Sequence, residues 1–255
     1  MFGLMSRNSW YGWRPDRPDR RDFKFAAARI GPLPASVDLR EGFPECYDQG
    51  DLGSCTANAI AAVLEFDQRL QGFLSPFTPS RLFIYFNERA MEGTVSSDAG
   101  AEIRDGVKSV SKWGAPREKF WPYVIGRFAK RPVKGAYADG YRHRSVKYER
   151  VGRSLGKMKE CLASGFPFVF GFTVYDSFES DAVAQSGLVS MPGEGEGVVG
   201  GHAVCCVGYD DAESLFLCRN SWGVDWGMAG YFKIPYAYLV DEDLADDFWV
   251  IRRTR

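Results

Sequence analysis

The chain has 255 residues, of which 45% are hydrophobic and 25% are charged, and its formal net charge is −1. Such a composition is typical of a globular protein with one large domain or two lobes, and the near-neutral charge argues against a nucleic-acid or membrane partner. No run of about 18 apolar residues that could span a bilayer occurs, and residues 1–13 lack the apolar core of a signal peptide. The sequence therefore predicts a cytoplasmic location, although secretion without a signal peptide stays open.

The chain is predicted to begin with an N-terminal arm, residues 1–34, followed by one domain over residues 35–255. The segment over residues 11–22 contains two prolines and shows neither helical nor strand periodicity, so it should be extended. It also carries aromatic residues such as Trp13, which a disordered tail seldom contains. We therefore expect the arm to pack against the rest of the protein.

The stretch over residues 49–58 joins a glycine-rich turn to a cysteine and a following apolar run. Ser54 is a favourable N-cap, so a long helix should begin near it and end before Gly72. Cys55 would then lie in the first turn of this helix, where the positive end of the helix dipole favours a thiolate. Cys55 is therefore a candidate nucleophile, and the alternative from these residues alone is a buried, unreactive cysteine.

Two more helices are predicted in the N-terminal half, over residues 78–90 and 100–113. Residues 127–153 hold nine Lys or Arg against two acidic residues, and we read this stretch as a solvated connecting surface rather than a site for an anionic partner. Helices first and strands later indicate an α+β protein, with two lobes. The predicted elements of the C-terminal half are a helix over residues 154–164 and strands over residues 168–174, 202–209, 215–219, 230–234 and 247–251.

One of the two histidines, His202, follows Gly200 and Gly201 at the start of a predicted strand. Asn220 lies 18 residues further on (220 − 202), and a short connection between antiparallel strands would place it beside His202. Its amide oxygen could accept one ring N–H and turn the other ring nitrogen toward Cys55. Together these side chains have the nucleophile, base and orienting group that acyl transfer through a thiol needs.

These motifs resemble those of papain-family (clan CA) cysteine peptidases. The 147 residues between Cys55 and His202 (202 − 55) fall within the range of about 130–150 that is characteristic of that family. The pattern is closest to short-pro, microbial members of the family. The matching motifs occur in the family's order and are Gln49-Gly50 with Gly53-Ser54-Cys55, Gly201-His202-Ala203, Asn220-Ser221-Trp222-Gly223, Trp226-Gly227 and Gly230-Tyr231.

The resemblance implies an α+β, papain-like two-lobe fold with the active-site cleft between the lobes. The left lobe would be helical and formed mainly by residues 50–125. The right lobe would be β-barrel-like and formed mainly by residues 126–255 together with residues 35–49. The resemblance also implies a monomer without cofactor or metal ion, which acts on a protein or peptide substrate.

Roles for named residues follow from the same resemblance. Cys55 would attack the scissile carbonyl as a thiolate paired with the His202 imidazolium, and Asn220 would orient the imidazole. Gln49 would donate its side-chain amide to the oxyanion, beside the backbone N–H of Cys55. Trp222 would shield the hydrogen bond between His202 and Asn220 from water. The protein should accordingly be a cysteine-type endopeptidase, and the alternative is an acyl transferase, deamidase or isopeptidase that shares the acyl-enzyme.

Two positions depart from the family pattern. Thr56 stands where the family usually has Trp, which changes the packing but keeps the backbone donor. Leu52 stands where a disulfide-bonded cysteine is usual, and the loss of that bridge fits a reducing compartment. The long inhibitory propeptide of the family is expected to be absent, which leaves the arm as the segment before the catalytic region.

A specificity pocket is expected from the resemblance, and most of its lining residues have very small side chains. Such a pocket should be roomy and apolar and should accept Leu, Phe or Tyr, unless Asp241 or a neighbour closes its base. With Trp222, the predicted substrate-binding residues are Gly100, Ala101, Ile103, Gly171, Gly200 and Gly201.

The arm itself is expected to lie in or over the cleft, with Tyr11, Trp13 and Arg14 limiting access to Cys55. Prolines lower the entropy cost of ordering an extended segment, and aromatic side chains give it contact area in a groove. The alternative is that the arm packs on the back of the right lobe as a structural strap.

Overall fold

The computed structural model describes residues 11–27, 31–144 and 146–253. Helices dominate the first half of the described chain and antiparallel strands the second. The helices are α1 (Cys55–Leu70), α2 (Arg81–Glu92), α3 (Ile103–Trp113), α4 (Lys134–Gly140), α5 (Leu155–Ala163), α6 (Asp181–Ser186) and α7 (Tyr236–Val240). The strands are β1 (Ser36–Asp38), β2 (Val146–Arg150), β3 (Phe168–Tyr175), β4 (Val198–Asp210), β5 (Leu215–Arg219), β6 (Tyr231–Pro235) and β7 (Ala245–Arg253).

Helix α1 lies between the other N-terminal helices and the sheet. Every residue from Cys55 to Gln68 is buried. Apolar side chains of α1, α2 and α3 share one hydrophobic cluster with residues of β3, β4 and β7, such as Val169, Ala203 and Trp249. A helix that is apolar on more than one face is stable only when it is covered on more than one side. Helix α1 is therefore an interior element of the fold.

The strands of the described chain form one antiparallel sheet in the order β2-β7-β3-β4-β5-β6, with β1 paired to β4. Strands β4 and β5 are neighbours, and Cys205 lies opposite Arg219. Since His202 is on β4 and Asn220 directly follows β5, this register brings both side chains to the same end of the sheet. A second hydrophobic cluster, which includes Phe172 and Phe232, covers the other face.

The ends of some elements differ from the prediction. Ser54 precedes α1 but does not cap it with its side chain, because its Oγ lies 2.6 Å from the hydroxyl oxygen of Tyr123. Ser80, by contrast, caps α2 by accepting the backbone N–H of Phe83. The sequence does not predict β1, α6 and α7, which have six residues or fewer and show no clear hydrophobic period. It also does not predict α4 and β2, because both lie in the basic stretch over residues 127–153 that we interpret as a connecting surface.

Membrane-spanning helices and the state of the cysteines can be assessed over the described residues. No helix of the described residues is long and apolar enough to cross a membrane. All six cysteines are buried and carry free thiols. The lobe boundary predicted between residues 125 and 126 stays a prediction.

Candidate active site

Cys55 is the first residue of α1, so its thiol lies at the N-terminus of the longest described helix. The side chain is completely buried. Backbone N–H groups of Ala203, Gly12 and Thr56 face the sulfur. The strand β4, the arm and the helix itself thus all contribute to the surroundings of this thiol.

His202 is held in one orientation by the end of β5. Its Nε2 lies 2.8 Å from Oδ1 of Asn220, and the same oxygen accepts the backbone N–H of Ser221 at 2.8 Å. Because Oδ1 is an acceptor, Nε2 must carry the proton of the neutral ring. Nδ1 of His202 is buried and has no hydrogen-bond partner among the described residues. This nitrogen is therefore available as a base.

An indole ring and an amide side chain complete this group. The Trp222 ring lies 5.0 Å from the His202 ring, centroid to centroid, and covers it from the side of the loop after β5. Gln49 is also fully buried, and its Nε2 donates to the carbonyl oxygen of Leu52 at 2.9 Å. Residues that are far apart in the sequence therefore form one compact polar group in the fold.

Ser221 is a site residue that the sequence analysis missed. Its hydroxyl donates to Oε1 of Gln49 at 2.6 Å, and its backbone N–H donates to Asn220. Ser221 therefore fixes which way the Gln49 amide points and connects the two amide side chains. Its position between Asn220 and Trp222 was the only sequence signal for it. We call Gln49, Cys55, His202, Asn220 and Ser221 the catalytic cluster.

The charges of this cluster differ from the expected ion pair. Burial raises the pKa of Cys55 to about 12, and burial lowers the pKa of His202 to about 4. Both groups are therefore neutral at pH 7 in this conformation. The expectation that the thiol pKa would be lowered rested on the helix dipole, and it did not include the loss of water from a covered site.

The arm supplies that cover. The backbone N–H of Trp13 donates to the carbonyl oxygen of Gly201 at 3.0 Å, and that of Arg14 donates to Ala101 at 3.1 Å. Ala101 in turn donates its N–H to the carbonyl oxygen of Gly12 at 2.7 Å. Residues 12–14 therefore run parallel to the segment at Ala101, directly over the buried cysteine. Residues 1–10 and 28–30 of the predicted arm lie outside the described residues.

Glycines on both sides make this close approach possible. A Cβ built on Gly12 would collide with the carbonyl oxygen of Gly53, and one built on Gly171 or Gly201 would collide with the Trp13 ring. A Cβ on Gly200 would meet the side chain of Tyr11. The small residues predicted to form the pocket are therefore the ones that receive the arm.

The aromatic side chains of the arm fill the cleft on both sides of Gly12. The Tyr11 ring lies edge-on to the rings of His202, at 5.9 Å, and Trp222, at 6.1 Å. The Tyr11 hydroxyl donates to Glu179 at 2.7 Å. Trp13 is only 8% exposed. The two rings thus bracket the cysteine and exclude solvent from it.

The remaining predicted pocket residues lie in different surroundings. Gly100 abuts the backbone of Gly12. Ile103 is the first residue of α3 and is fully buried in the same hydrophobic cluster as Trp13. Asp241, which the sequence analysis named with its neighbours as a residue that could close the base of the pocket, is exposed. The carboxyl group at the Trp13 ring belongs instead to Asp247, six residues further along the chain, whose Oδ2 accepts the indole N–H at 3.1 Å.

A buried charged group holds the arm beyond Trp13. The backbone N–H of Asp16 donates to Asp247 at 2.7 Å, and the indole N–H of Trp249 donates to Asp16 at 2.8 Å. The backbone N–H of Arg104 donates to Asp16 at 2.9 Å. Arg150 forms ion pairs with both carboxylates. We call Asp16, Arg104, Arg150, Asp247 and Trp249 the anchor cluster.

The anchor cluster brings together residues of the arm, α3, β2 and β7, which no local sequence pattern could predict. Asp247 is fully buried and has a positive φ of 59°. Burial and the neighbouring Asp16 raise the pKa of Asp247 to about 8, against the attraction of Arg150. Two close carboxyl groups of this kind retain a proton at neutral pH.

Residues 24–25 of the arm pack against the sheet, as the alternative interpretation of the arm as a structural strap predicts. Lys24 pairs in parallel with Arg150 of β2, and Phe25 is buried in the second hydrophobic cluster. The Phe25 N–H donates to Arg150 at 2.8 Å. The two readings therefore apply to different parts of the arm: residues 11–14 cover the cleft and residues 24–25 extend the sheet.

No metal centre is indicated at or near these residues. Within the described ranges, no group of three His, Cys, Asp or Glu is arranged to hold a metal ion. The donors that surround Cys55 are backbone N–H groups, which suit an anion rather than a cation. The chemistry that this geometry can perform is nucleophilic attack by a thiol with an adjacent imidazole base.

Comparisons with known proteins agree with this geometry. Residues 33–240 match the papain family of cysteine proteases. An uncharacterized peptidase C1-like protein of Acanthamoeba polyphaga mimivirus is 42% identical over 275 residues, which cover 97% of this chain and 88% of the relative. A cathepsin B-like protein of Giardia intestinalis is 33% identical over 224 residues, covering 79% of this chain and 69% of the relative.

Solved structures show the same relation. Xylellain, a cysteine protease from Xylella fastidiosa, superposes with a TM-score of 0.91 at 42% identity, and the match covers 100% of both chains. Procathepsin L 3 of Tenebrio molitor shares the fold, with a TM-score of 0.70 at 17% identity over 98% of this chain and 77% of that one. The predicted α+β, papain-like two-lobe fold is thereby confirmed, and the chain belongs to the papain family of cysteine proteases.

Proposed function

We propose that this cysteine protease hydrolyses internal peptide bonds through the catalytic cluster, once the arm has left the cleft. The observation that carries the proposal is the hydrogen bond between Nε2 of His202 and Oδ1 of Asn220, which leaves Nδ1 unprotonated, buried and without a hydrogen-bond partner among the described residues. An imidazole fixed in this tautomer can accept the thiol proton. The helix N-terminus then stabilises the thiolate that results.

In the proposed reaction, the Cys55 thiolate forms a bond to the scissile carbonyl carbon, and the carbonyl oxygen takes up the negative charge. Gln49 and the backbone N–H of Cys55 would donate to that oxygen. The His202 imidazolium gives its proton to the leaving amine as the C–N bond breaks. A water molecule, deprotonated by His202, then attacks the thioester, releases the acid and restores the thiol.

The pocket that now holds Trp13 is proposed to take a large side chain of the substrate. Its walls at Gly171 and Gly201 carry no side chain, and a Cβ at either position would overlap the indole. A pocket that accommodates an indole also accommodates Phe, Tyr or Leu, which supports the preference predicted from the sequence. A peptide library in which only Asp or Glu is accepted as the second residue before the scissile bond would contradict this part of the proposal.

We also propose that the arm inhibits the enzyme. It removes Cys55 and His202 from solvent, and burial holds both groups in their neutral forms. The Gly12 N–H faces the sulfur, so the arm offers a donor where a substrate must offer an electrophilic carbonyl carbon. These contacts favour a bound but uncleaved segment.

The nucleophile is tested by substitution of cysteines in the full chain. Cys55→Ala should abolish turnover of a fluorogenic peptide, and alkylation by iodoacetamide should be lost from the corresponding tryptic peptide. Cys161→Ala is the matched control, because Cys161 is a buried free thiol on α5, remote from the site. Wild-type turnover by the Cys55→Ala protein would refute the assignment. Release of ammonia from Gln side chains without peptide cleavage would favour the deamidase alternative.

The inhibitory role of the arm is tested with a matched pair of variants. Trp13→Ala removes the buried ring, and Phe23→Ala removes a ring of the same arm that is 70% exposed. We expect a rise in kcat/KM for Trp13→Ala and none for Phe23→Ala. A peptide with the sequence of residues 11–22, added in trans, should inhibit the Trp13→Ala protein. If Trp13→Ala only lowers the melting temperature, the arm is a structural strap throughout.

The proposal extends to the compartment in which the enzyme works and to its oligomeric state. Six free thiols support work in a reducing compartment such as the cytoplasm. We propose a monomer that acts on protein or peptide substrates without a cofactor. Size-exclusion chromatography with light scattering tests the monomeric state, because a concentration-dependent dimer would contradict it.

A further inference from the structure

Glu88 is a carboxyl group buried completely behind the active-site helix. It lies on α2, and its Oε1 accepts a hydrogen bond from the hydroxyl of Thr56 at 2.7 Å. Thr56 is the residue directly after Cys55. A side chain of α2 is therefore bonded to the first turn of α1, one residue from the thiol.

The second oxygen of this carboxyl group lies in an unusual position. Oε2 of Glu88 is buried and has no hydrogen-bond partner among the described residues. A Cβ built on Gly106 of α3 would collide with it, so the junction of three helices leaves no extra space beside this oxygen. An uncompensated carboxylate in such a place is unfavourable, and the neutral acid is the form that it tolerates.

The charged groups around Glu88 do not neutralise it by direct contact. On its own helix, Arg89 donates to the carbonyl oxygens of Val95, Ser97 and Phe128 instead. From the arm, Arg14 forms its ion pair with Glu92. Asp105 of α3 adds negative charge, as Tyr85 and Cys55 would if they ionised. Burial is the largest cause that raises the pKa of Glu88, to about 8.

We propose that Glu88 is a positioning residue for the cysteine: as a neutral acid it holds Thr56 and the first turn of α1 in place, and its ionisation opposes formation of the Cys55 thiolate. The inference rests on the proposed function, since it assumes that Cys55 is the nucleophile. A second negative charge behind the helix N-terminus counteracts the field that favours the thiolate. Consistently, the Glu88 charge is one of the factors that raise the pKa of Cys55.

The inference predicts an effect on one side of the pH profile. Below the pKa of Glu88 the acid is neutral, so it leaves the acid limb of activity unchanged. As the pH rises through about 8, Glu88 ionises and the thiolate is reprotonated by its partner imidazolium. The alkaline limb of kcat/KM should therefore lie at lower pH than it would with a neutral side chain in this position.

Glu88→Gln tests this directly, because the amide oxygen can still accept from Thr56 but the group cannot ionise. We expect the alkaline limb to move upward by about half a pH unit or more, with the acid limb unchanged. The measurement uses full-length protein that also carries Trp13→Ala, and follows both peptide turnover and alkylation of Cys55. Glu160→Gln, a surface carboxyl on α5, is the matched control. If Glu88→Gln has the same alkaline limb as the protein that retains Glu88, the inference is overturned.

Substitutions of Thr56 test the same role without relying on how well Glu88→Gln folds, and infrared spectroscopy adds a direct readout of the acid. Thr56→Val removes the hydrogen bond and should lower kcat about fivefold, while Thr56→Ser should restore it, because the net value of one such bond is about 1 kcal/mol. Equal kcat for Thr56→Val and wild type would count against the positioning role. Infrared spectroscopy at pH 6 should show the carbonyl band of a buried protonated carboxyl that Glu88→Gln lacks, and absence of that band would contradict the neutral acid.

The test separates this inference from the proposed function. If Cys55→Ala keeps its activity, the nucleophile itself is wrongly assigned and both proposals fail. If Cys55→Ala is inactive while Glu88→Gln has the wild-type pH profile and Thr56→Val the wild-type kcat, only the role of Glu88 is refuted.

Discussion

The catalytic cluster and the anchor cluster are both buried polar groups, but they are held together by different forces. In the catalytic cluster, amide and hydroxyl groups such as those of Asn220 and Ser221 make neutral hydrogen bonds. In the anchor cluster, Arg150 binds the carboxylates of Asp16 and Asp247. Hydrogen bonds between neutral groups of the core keep the same geometry over a wide pH range. The strength of ion pairs that hold a peripheral segment changes with pH and with salt concentration.

This contrast suggests a division of work. The catalytic cluster is assembled at the start of α1, on β4 and directly after β5, and these elements pack in the hydrophobic core. The anchor cluster exists only when Asp16 of the arm is docked against Asp247. Under the proposed inhibition, a cover with titratable attachments would keep the site inactive until the pH or the salt concentration changes.

The largest effect is expected from Asn220→Ala, which removes the acceptor that orients His202. The imidazole can then take the other tautomer, with the proton on Nδ1, and lose its function as a base. We expect kcat to fall by about 100-fold or more with little change in KM. The measurement is steady-state kinetics in the Trp13→Ala background. A loss below about fivefold would mean that the strand geometry alone orients the ring.

A large effect of opposite sign is expected from Arg150→Gln in the anchor cluster. The change leaves two buried carboxyl groups without their cation, which typically costs about 3–5 kcal/mol. The arm should therefore dissociate, with a rise in kcat/KM and faster proteolytic cleavage of the arm. Arg153→Gln is the control, because Arg153 pairs with Asp246 outside the cluster. Unchanged protection of the arm would show that Trp13 and the backbone bonds suffice.

The third prediction concerns pH. The pKa of Asp247 is raised from its ordinary value of 3.8 to about 8 when the arm is docked, so docking takes up a proton. The resulting stabilisation is complete below the ordinary value and is lost as the pH rises through about 8. Hydrogen exchange of the Trp13 amide should therefore accelerate between pH 6 and pH 9, beyond the intrinsic increase.

Asp247→Asn provides the control for that experiment, since its amide oxygen can still accept from Trp13 but cannot titrate. The extra acceleration should disappear in this variant. If the wild-type arm becomes more mobile as the pH falls instead, acid rather than base releases it, and the assigned direction is wrong.

The smallest effect is expected from Ser221→Ala. This variant removes the hydroxyl that fixes the Gln49 amide at 2.6 Å, while both amide side chains keep other partners. Loss of one hydrogen bond of this kind costs about 1 kcal/mol, so kcat should fall about fivefold. Thermal unfolding and kinetics of the purified variant check this. A loss as large as that of Asn220→Ala would place Ser221 among the principal groups of the site.

Much of the site could be predicted from the sequence because short sequence patterns position its residues. Cys55 is placed by α1, which begins at this residue, and the apolar residues that follow Cys55 would form that helix in any compact fold. His202 lies on β4 and Asn220 directly follows β5, and the short connection between these strands makes them neighbours in an antiparallel sheet. Their roles as catalytic groups stay predictions until the variants are measured.

Tertiary structure alone decided the ionisation states and the attachment of the arm. The pKa values of Cys55 and Glu88 depend on how completely distant elements exclude water, and no sequence window contains that information. The sequence analysis named Asp241 or a neighbour only as residues that could close the pocket, while the folded chain places Asp247 at the Trp13 ring. Composition and periodicity describe what a segment prefers by itself. The neighbours that a buried charge meets are set by long-range packing, which only the folded chain determines.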